Sequence, residues 1–327
     1  MIKRARIVGT GSYVPDKILT NQDLEKIVDT SDEWITTRTG IKERRIAPEG
    51  VYTSILAMEA AKKALEQAEV SPKELDLIIC STISPDQPLP STAAFIQHGL
   101  GANTCGAFDM AAACSGFLYG ITVAEQFILT GKYKRILVIG VELLSRVMDW
   151  EDRATCILFA DGAGAAVIMP SEDDRGIVHT IMHIDGAFTD YLHIPGGGMR
   201  YVSSHETLNN KMHFVKMRGN ELFKVATRFM ENVSREIMEQ TKISIDDIKY
   251  FIPHQANQRI SIAVAERLGL PMEKLYSNID RIGNTSSASI PIALDELNRA
   301  YKLDKGDLIL LASFGAGVTW AGVLLKW

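Results

Sequence analysis

Three residues of the chain have the types that nucleophilic acyl chemistry uses: Cys114, His254 and Asn284. Cys114 lies in Asp109-Met110-Ala111-Ala112-Ala113-Cys114-Ser115-Gly116-Phe117, where small neighbours let a substrate carbonyl come close. An apolar helical pattern follows through Leu118, Ile121, Ala124 and Phe127. A thiol at the start of that helix feels the positive end of its dipole, which favours thiolate and hence nucleophilicity. The segment reads equally as packing, because free cysteines are often small buried hydrophobes. His254 follows the apolar run Tyr250–Ile252, and the C-terminal ends of strands in layered α/β sheets favour functional side chains. A core histidine satisfied by a backbone carbonyl is the plainer account of it. Asn284, in Arg281-Ile282-Gly283-Asn284-Thr285-Ser286-Ser287, precedes an apolar helix that it could simply cap. The segment Ser313-Phe314-Gly315-Ala316-Gly317-Val318-Thr319-Trp320 follows another apolar run. Its glycines would let backbone N–H groups approach a ligand as an oxyanion hole, or would make no more than a tight turn.

Residues so far apart in sequence need a scaffold to bring them together. Strand-like runs occur at Leu77–Cys80, Ile136–Val141, Ala165–Met169, Tyr250–Ile252, Leu308–Ala312 and Val323–Leu325. They are short, apolar and not alternating, as expected of strands covered on both faces. Helical patterns at Ser54–Glu69 and Asn220–Thr241 lie between them, which makes the chain α/β. The chain also repeats itself. An offset of 173 sets Glu66-Gln67 on Glu239-Gln240, Val70-Ser71 on Ile243-Ser244, Leu75 on Ile248 and Ile79 on Ile252. An offset of 172 sets Ile136–Gly140 on Leu308–Ala312 and Cys114 on Ser286. Two halves are therefore expected, 1–172 carrying the cysteine and 173–327 carrying the histidine and asparagine, divided near Ser171–Arg175. Parallel strands packed sheet to sheet through helices would leave a cleft where the halves meet. Asp185–Asn210 reads as a loop insertion shaping one rim.

Composition narrows the function. A net charge of −5 argues against general nucleic-acid binding. The opening residues, Met1 to Gly9, read as no signal peptide, and no apolar stretch has the length of a membrane span. Cys80, Cys105, Cys114 and Cys156 show neither a disulfide framework nor zinc spacing, and the seven histidines show no metal-ligand pattern. No metal and no cofactor is expected, in a soluble protein of the cytoplasm. Gly9-Thr10-Gly11 has Val14 where a dinucleotide fingerprint needs its third glycine, and no phosphate loop is present.

The opening segment is more specific. Thr20-Asn21-Gln22-Asp23-Leu24-Glu25 and Asp29-Thr30-Ser31-Asp32-Glu33-Trp34-Ile35-Thr36-Thr37-Arg38-Thr39-Gly40-Ile41 resemble the N-terminal signature of β-ketoacyl-acyl carrier protein synthase III. That family initiates bacterial type II fatty-acid synthesis. The resemblance continues through Ala111–Gly116, His254–Asn257, Gly283-Asn284-Thr285-Ser286 and Phe314–Trp320, and covers essentially the whole chain in order. It implies a thiolase-like fold of two layered α-β-α-β-α halves, a homodimer, and a Cys-His-Asn triad at Cys114, His254 and Asn284. Cys114 would take the acyl group of a short acyl-CoA, which is a substrate rather than a cofactor. Malonyl-acyl carrier protein would then lose carbon dioxide, with the enolate held by His254 and Asn284. Backbone N–H groups of Cys114 and Ala316 would hold the acyl oxyanion, and Phe314 would border the malonyl carboxylate. Trp34 would stack on the CoA adenine, with Arg38 and Arg153 at its phosphates and ring. Asn257, Gly219 and Phe223 would line the pantetheine tunnel. Lys224 and Arg259 would meet the acidic carrier protein at its mouth. Lys211, Lys216, Arg218 and Arg228 would extend that patch or would be ordinary solubilising charge.

Two departures stand out. The family often has glycine at Ala316, and often has Phe where Leu89 precedes Pro90-Ser91, at the place where a partner subunit lends a residue to the acyl pocket. The second points toward a changed primer, branched chains included. The order of the triad also resembles papain-like peptidases, but the local signature around their cysteine is absent. The remaining alternatives are a related condensing enzyme of secondary metabolism and a non-catalytic scaffold that binds acyl-CoA or carrier protein.

Overall fold

The computed structural model describes residues 4–327; Met1–Lys3, which open the segment read above for a signal peptide, lie outside it. Five strands form the first sheet: β1 (Ala5–Tyr13), β2 (Leu77–Ser81), β3 (Gly106–Met110), β4 (Ile136–Leu143) and β5 (Asp161–Pro170). Four form the second: β6 (Gly176–Ile184), β7 (Ile248–Pro253), β8 (Leu308–Gly315) and β9 (Thr319–Lys326). The main helices are α1 (Thr53–Ala68), α2 (Gly116–Leu129), α3 (Gly219–Thr241), α4 (Gln258–Leu268) and α5 (Ser289–Arg299).

Side-chain alternation explains why the strands read as continuous apolar runs. Leu77 and Ile79 of β2 enter one core cluster, while Ile78 and Cys80 enter another on the opposite face. In β4, Ile136 and Val138 face the first cluster, and Leu137, Ile139 and Val141 the second. Each face needs its own apolar cover. Between the sheets lie α2 and α5, whose Phe117, Leu118, Ile121, Ile290 and Leu294 pack on the inner faces of both. Outside, α1 covers the first sheet, and α3 with α4 covers the second. The layers run α-β-α-β-α. Truncating a buried Leu or Ile in such a core typically costs about 2–5 kcal/mol.

The sheets are mixed rather than parallel. β2 runs parallel to β3 and β4, and β7 parallel to β8, but β5 is antiparallel to β4 and β1. β9 likewise runs antiparallel to β8 and β6. Only three residues join β8 to β9, a link that permits a hairpin and no crossover. Three strands of these two sheets escaped the sequence reading. β1 is broken by Gly9 and Gly11, whose missing side chains let it lie against α1: a Cβ there would meet Ala64 O at 2.3 Å and Ala60 O at 2.2 Å. The glycines once weighed as a nucleotide motif are thus strand–helix packing. β3 is a half-buried edge strand, and β6 carries polar residues.

The duplication extends to backbone detail. At the offset of 173, Glu69 (φ 55°) and Lys242 (φ 59°) end equivalent helices, and Ser71 and Ser244 each close a capping box. Ala113 (φ 47°) and Ser286 (φ 51°) each open the turn before a central helix. This corrects the alignment by one residue: Ser286 corresponds to Ala113, and Cys114 to Ser287. The counterpart of β3 in the second half is reduced to one bridge, Phe251 to Leu275.

Candidate active site

Cys114 sits in the turn Ala113–Ser115, between edge strand β3 and the first residue of α2. The chain reverses there within three small residues, with Ala113 in the left-handed region. Strand β8 of the other half presses against this turn, and a Cβ on Gly315 would lie 2.7 Å from Cys114 N. Glycine at 315 therefore keeps the Cys114 N–H open. Burial pushes the thiol up to about 12, in the direction opposite to the lowering expected of the helix dipole.

His254 lies one residue beyond β7 and is buried, its N–H held by Ala312 O at 2.8 Å. Its Nδ1 is 2.7 Å from Ser289 Oγ, while Nε2 is buried with no partner among the described residues. The Gln255 N–H donates to the same Ser289 oxygen at 3.3 Å, which leaves the serine proton for His254 Nδ1. With the serine hydroxyl donating to Nδ1, the ring proton sits on Nε2 and faces the unpartnered side. Burial pulls His254 down to about 3, so the imidazole is neutral and a donor, not a cation. Asn284 is held by both backbone groups, its N–H to Leu158 O at 3.0 Å and its carbonyl from Ala160 N at 2.8 Å. Its Oδ1 accepts the Ser286 N–H at 2.9 Å, which leaves Nδ2 as the free end.

Cys114, His254, Asn284 and Phe314 line one cavity of about 660 Å³. Phe314 packs beside His254, ring centroids 5.8 Å apart. Toward the surface the same cavity is lined by Gly219, Phe223 and Asn257, and then by Trp34, Arg38 and Arg153. Arg38 and Arg153 flank the Trp34 ring at 4.7 and 5.1 Å from its centroid. Asn257 caps α4 and donates from Nδ2 to Arg38 O at 3.0 Å, tying the helix end to the Trp34 segment. A second cavity of about 440 Å³ opens on the other side of Cys114, with Ala316 on its wall beside apolar Ile83, Leu144, Ile184 and Val215. Leu89 reaches neither cavity: it is 84% exposed.

The cations divide in two. Lys211 pairs with Asp149 and Glu151, and Arg218 with Asp190, so neither is free to extend a docking patch. Lys224 and Arg259 line the cavity mouth and are exposed, with no carboxylate in ion-pair reach among the described residues; Arg259 lies over Phe223. Arg228, one turn beyond Lys224, is also exposed and stacks on Phe229.

Comparison with known proteins follows this geometry closely. Residues 108–186 match the family described as 3-oxoacyl-[acyl-carrier-protein (ACP)] synthase III, and residues 238–327 match its C-terminal part. The beta-ketoacyl-[acyl-carrier-protein] synthase III of Caldanaerobacter subterraneus subsp. tengcongensis is 52% identical over 323 residues, 99% of this chain and 98% of that one. The chain belongs to the β-ketoacyl-acyl carrier protein synthase III family. As a synthase III it is an enzyme, a condensing acyltransferase with the thiolase-like fold. The crystal structure of the Aquifex aeolicus VF5 synthase III is similar at a TM-score of 0.92 and 50% identity, covering 99% of this chain and 100% of that one. A priming β-ketosynthase from the R1128 polyketide biosynthetic pathway is similar at a TM-score of 0.91 and 35% identity, over 98% and 96% of the two chains.

Several contributors to this synthase III site carry no signal in the sequence. Ser289 sets the histidine tautomer but reads as one more helix-start serine. Gly315 reads as turn glycine. Arg44 is fully buried and donates to Leu19 O, Asn21 Oδ1 and Ile157 O, joining the N-terminal signature to the cavity wall. Burial lowers it to about 10, still cationic.

Proposed function

We propose that the enzyme starts fatty-acid synthesis by condensing a short acyl-CoA primer with malonyl-acyl carrier protein through an acyl group on Cys114. The observation that carries the role assignment is the pair of free donors, His254 Nε2–H and Asn284 Nδ2, on the wall of the cavity that holds the thiol. In this reading Cys114 attacks the thioester carbonyl, and the N–H groups of Cys114 and Ala316 receive the oxyanion. CoA departs along the arm of the cavity that leads to Trp34, Arg38 and Arg153. The malonyl group then enters by the same arm and loses carbon dioxide beside Phe314. His254 and Asn284 donate to the enolate oxygen, and the enolate carbon attacks the acyl-cysteine. Decarboxylation supplies the carbanion, so a neutral histidine donor serves and no strong base is required. No cofactor enters this scheme; CoA is a substrate carrier.

The primer's acyl chain occupies the apolar second cavity, which has far more room than an acetyl group fills. Exposed Leu89, Phe95 and Ile184 and the free edge of β3 support a homodimer. Lys224 and Arg259 receive the acidic carrier protein. Four free cysteines agree with a cytoplasmic enzyme. No helix is long and apolar enough to cross a membrane among the described residues.

Intact mass spectrometry after incubation with acetyl-CoA, comparing wild type with Cys114→Ala, tests the assignment. One acetyl group on the Cys114 peptide, discharged by malonyl-acyl carrier protein and absent in the variant, is expected. An adduct formed only by a branched or longer acyl-CoA would keep the mechanism and reassign the primer. No adduct with any acyl-CoA would overturn the nucleophile.

A further inference from the structure

We propose that Arg44 is a positioning residue for the nucleotide end of the cavity, a buried fork that holds the helix of Trp34 and Arg38 against the segment of Arg153. The inference rests on the reading that this end receives the nucleotide of the acyl-CoA. Trp34 and Arg38 stand one turn apart on the helix Asp32–Thr39, and Arg153 opens the short helix Arg153–Cys156. The two arginines therefore reach one ring from stretches far apart in the chain. At the rim those stretches meet through exposed groups alone. Arg153 donates to Asp29 O at 2.6 Å and pairs with the exposed Asp29 carboxylate at 3.4 Å. Water competes for both bonds, so they contribute little to fixing the ring between its cations.

The firm connection runs beneath. Arg44 Nη2 donates to Ile157 O at 2.9 Å and to Asn21 Oδ1 at 2.8 Å, and Nη1 donates to Leu19 O at 3.1 Å. Ile157 closes the Arg153 helix, so its carbonyl is one that the helix leaves without a partner of its own. Asn21 passes the link on. Its Nδ2 donates to Asp32 Oδ1 at 2.7 Å and Thr36 Oγ1 at 3.2 Å, one turn apart on the helix of Trp34. It also donates to Ile41 O at 2.8 Å, just past the end of that helix. From Arg153 to Trp34 the line is thus Ile157, Arg44, Asn21 and Asp32.

Arg44 and Asn21 are both fully buried, and Ile41 and Ile157, whose carbonyls they hold, belong to one apolar cluster. The acceptors of the guanidinium are two carbonyls and an amide oxygen, and its Nε has no partner among the described residues. A buried cation without a carboxylate costs stability that an apolar side chain of similar volume would not. What it supplies is a planar fork that spans three acceptors on separate stretches of chain, which neither an apolar side chain nor the point charge of lysine can do. Its stem has another neighbour. A Cβ on Gly283, the residue before Asn284, would lie 2.9 Å from Arg44 Cβ. Lysine at position 44 keeps that stem and loses the fork, so it separates the nucleotide end from Asn284.

The test compares two thioesters. Acetyl-CoA carries the nucleotide and S-acetylpantetheine does not, while both reach Cys114 by the same arm. Condensation with malonyl-acyl carrier protein gives kcat and KM for each. Arg44→Lys is expected to raise KM for acetyl-CoA about tenfold with kcat within about twofold, and to change kcat/KM for S-acetylpantetheine by less than about twofold. Asn21→Ala should show the same selectivity, and the double variant should be little worse than either single one. A wild-type KM for acetyl-CoA in Arg44→Lys would overturn the proposal. Equal loss with both thioesters would also overturn it, in favour of a side chain that only stabilises the fold. Should circular dichroism show Arg44→Lys unfolded, Asp32→Ala, half-buried at the far end of the line, decides by the same ratio. A wild type that uses both thioesters equally well, with Trp34→Ala alike on the two, would instead sink the nucleotide reading.

Discussion

The turns at Ala113–Ser115 and Ser286–Ala288 are the same backbone device used twice. Each opens on a left-handed residue, each starts a central helix, and each is pressed by a strand from the opposite half. β8 leans on the first turn through Gly315, and β4 leans on the second through Gly140, where a Cβ would lie 2.3 Å from Ser287 O. The chemistry diverges completely. The first turn offers a thiol and an open N–H to a cavity, while the second turns its Ser286 hydroxyl to Glu142, shares its Ser287 hydroxyl between Ser81 O and Glu142, and gives its Ser286 N–H to Asn284. On the proposed function, a duplicated scaffold assigns attack to one copy and positioning to the other, and the exchange of supporting strands holds both in place.

Matched substitutions in the two strands are the most direct way to break this comparison. Gly315→Ala places a methyl over the Cys114 N–H and is expected to lower the acyl-transfer rate by about 10²–10³-fold, the loss of one oxyanion donor. Gly140→Ala presses instead on a carbonyl and is expected to act on folding, costing about 1–3 kcal/mol in denaturant unfolding. If both variants lose stability alike and neither loses catalysis selectively, the division of labour is wrong.

Ser289→Ala sharpens the positioning side. Without its hydroxyl, His254 Nδ1 has no donor and the ring can carry its proton there, leaving Nε2 an acceptor. Decarboxylation of malonyl-acyl carrier protein should fall by roughly 10–100-fold, with acylation of Cys114 much less affected. The pH dependence of stability gives a second readout. His254 is lowered in the fold, so between its unfolded value of 6.5 and about 3 the unfolded chain binds more protons. Its contribution is complete above 6.5 and is lost as pH falls through that window. Glu142 is raised, so its contribution has the opposite slope, growing as pH falls from about 7 toward 4.5. His254→Gln should flatten the acid loss, and Glu142→Gln should steepen it; equilibrium unfolding across pH 3 to 8 checks both.

The sequence carried the elements that bury apolar residues on both faces, because the runs Leu77–Cys80, Ile136–Val141, Tyr250–Ile252 and Leu308–Ala312 inside β2, β4, β7 and β8 hold no charged residue to obscure them. It missed β1 and β3, where glycine packing and half-burial erase the apolar signal. Cys114, His254 and Asn284, named by type and local setting, fell on one cavity, as did Trp34, Arg38, Arg153, Gly219, Phe223 and Asn257, which the resemblance supplied; Ala316 fell on the second cavity and Leu89 on neither. Ser289, Gly315 and Glu142 act only through neighbours more than thirty residues away, and no local pattern marks a residue whose importance is its partner. The Cys114 thiol follows the same rule: the helix start that favours its thiolate is legible in sequence, while the burial that raises it is not.

The smallest expected effects lie at the rim, where two kinds of cation can be told apart. Lys224 and Arg259 have no ion-pair partner among the described residues at the cavity mouth, so reversing either to Glu removes attraction for an acidic partner and adds repulsion. The expected result is a several-fold to roughly tenfold loss in kcat/KM for malonyl-acyl carrier protein at low salt, fading as salt screens the encounter. Acylation by acetyl-CoA, which needs no carrier, should change less. Lys211 already satisfies Asp149 and Glu151, so Lys211→Gln should leave the carrier KM near wild type and cost at most about 1 kcal/mol of stability. Equal carrier KM effects at Lys211 and Lys224 would show that total charge, rather than the unpaired cations at this mouth, draws the partner in.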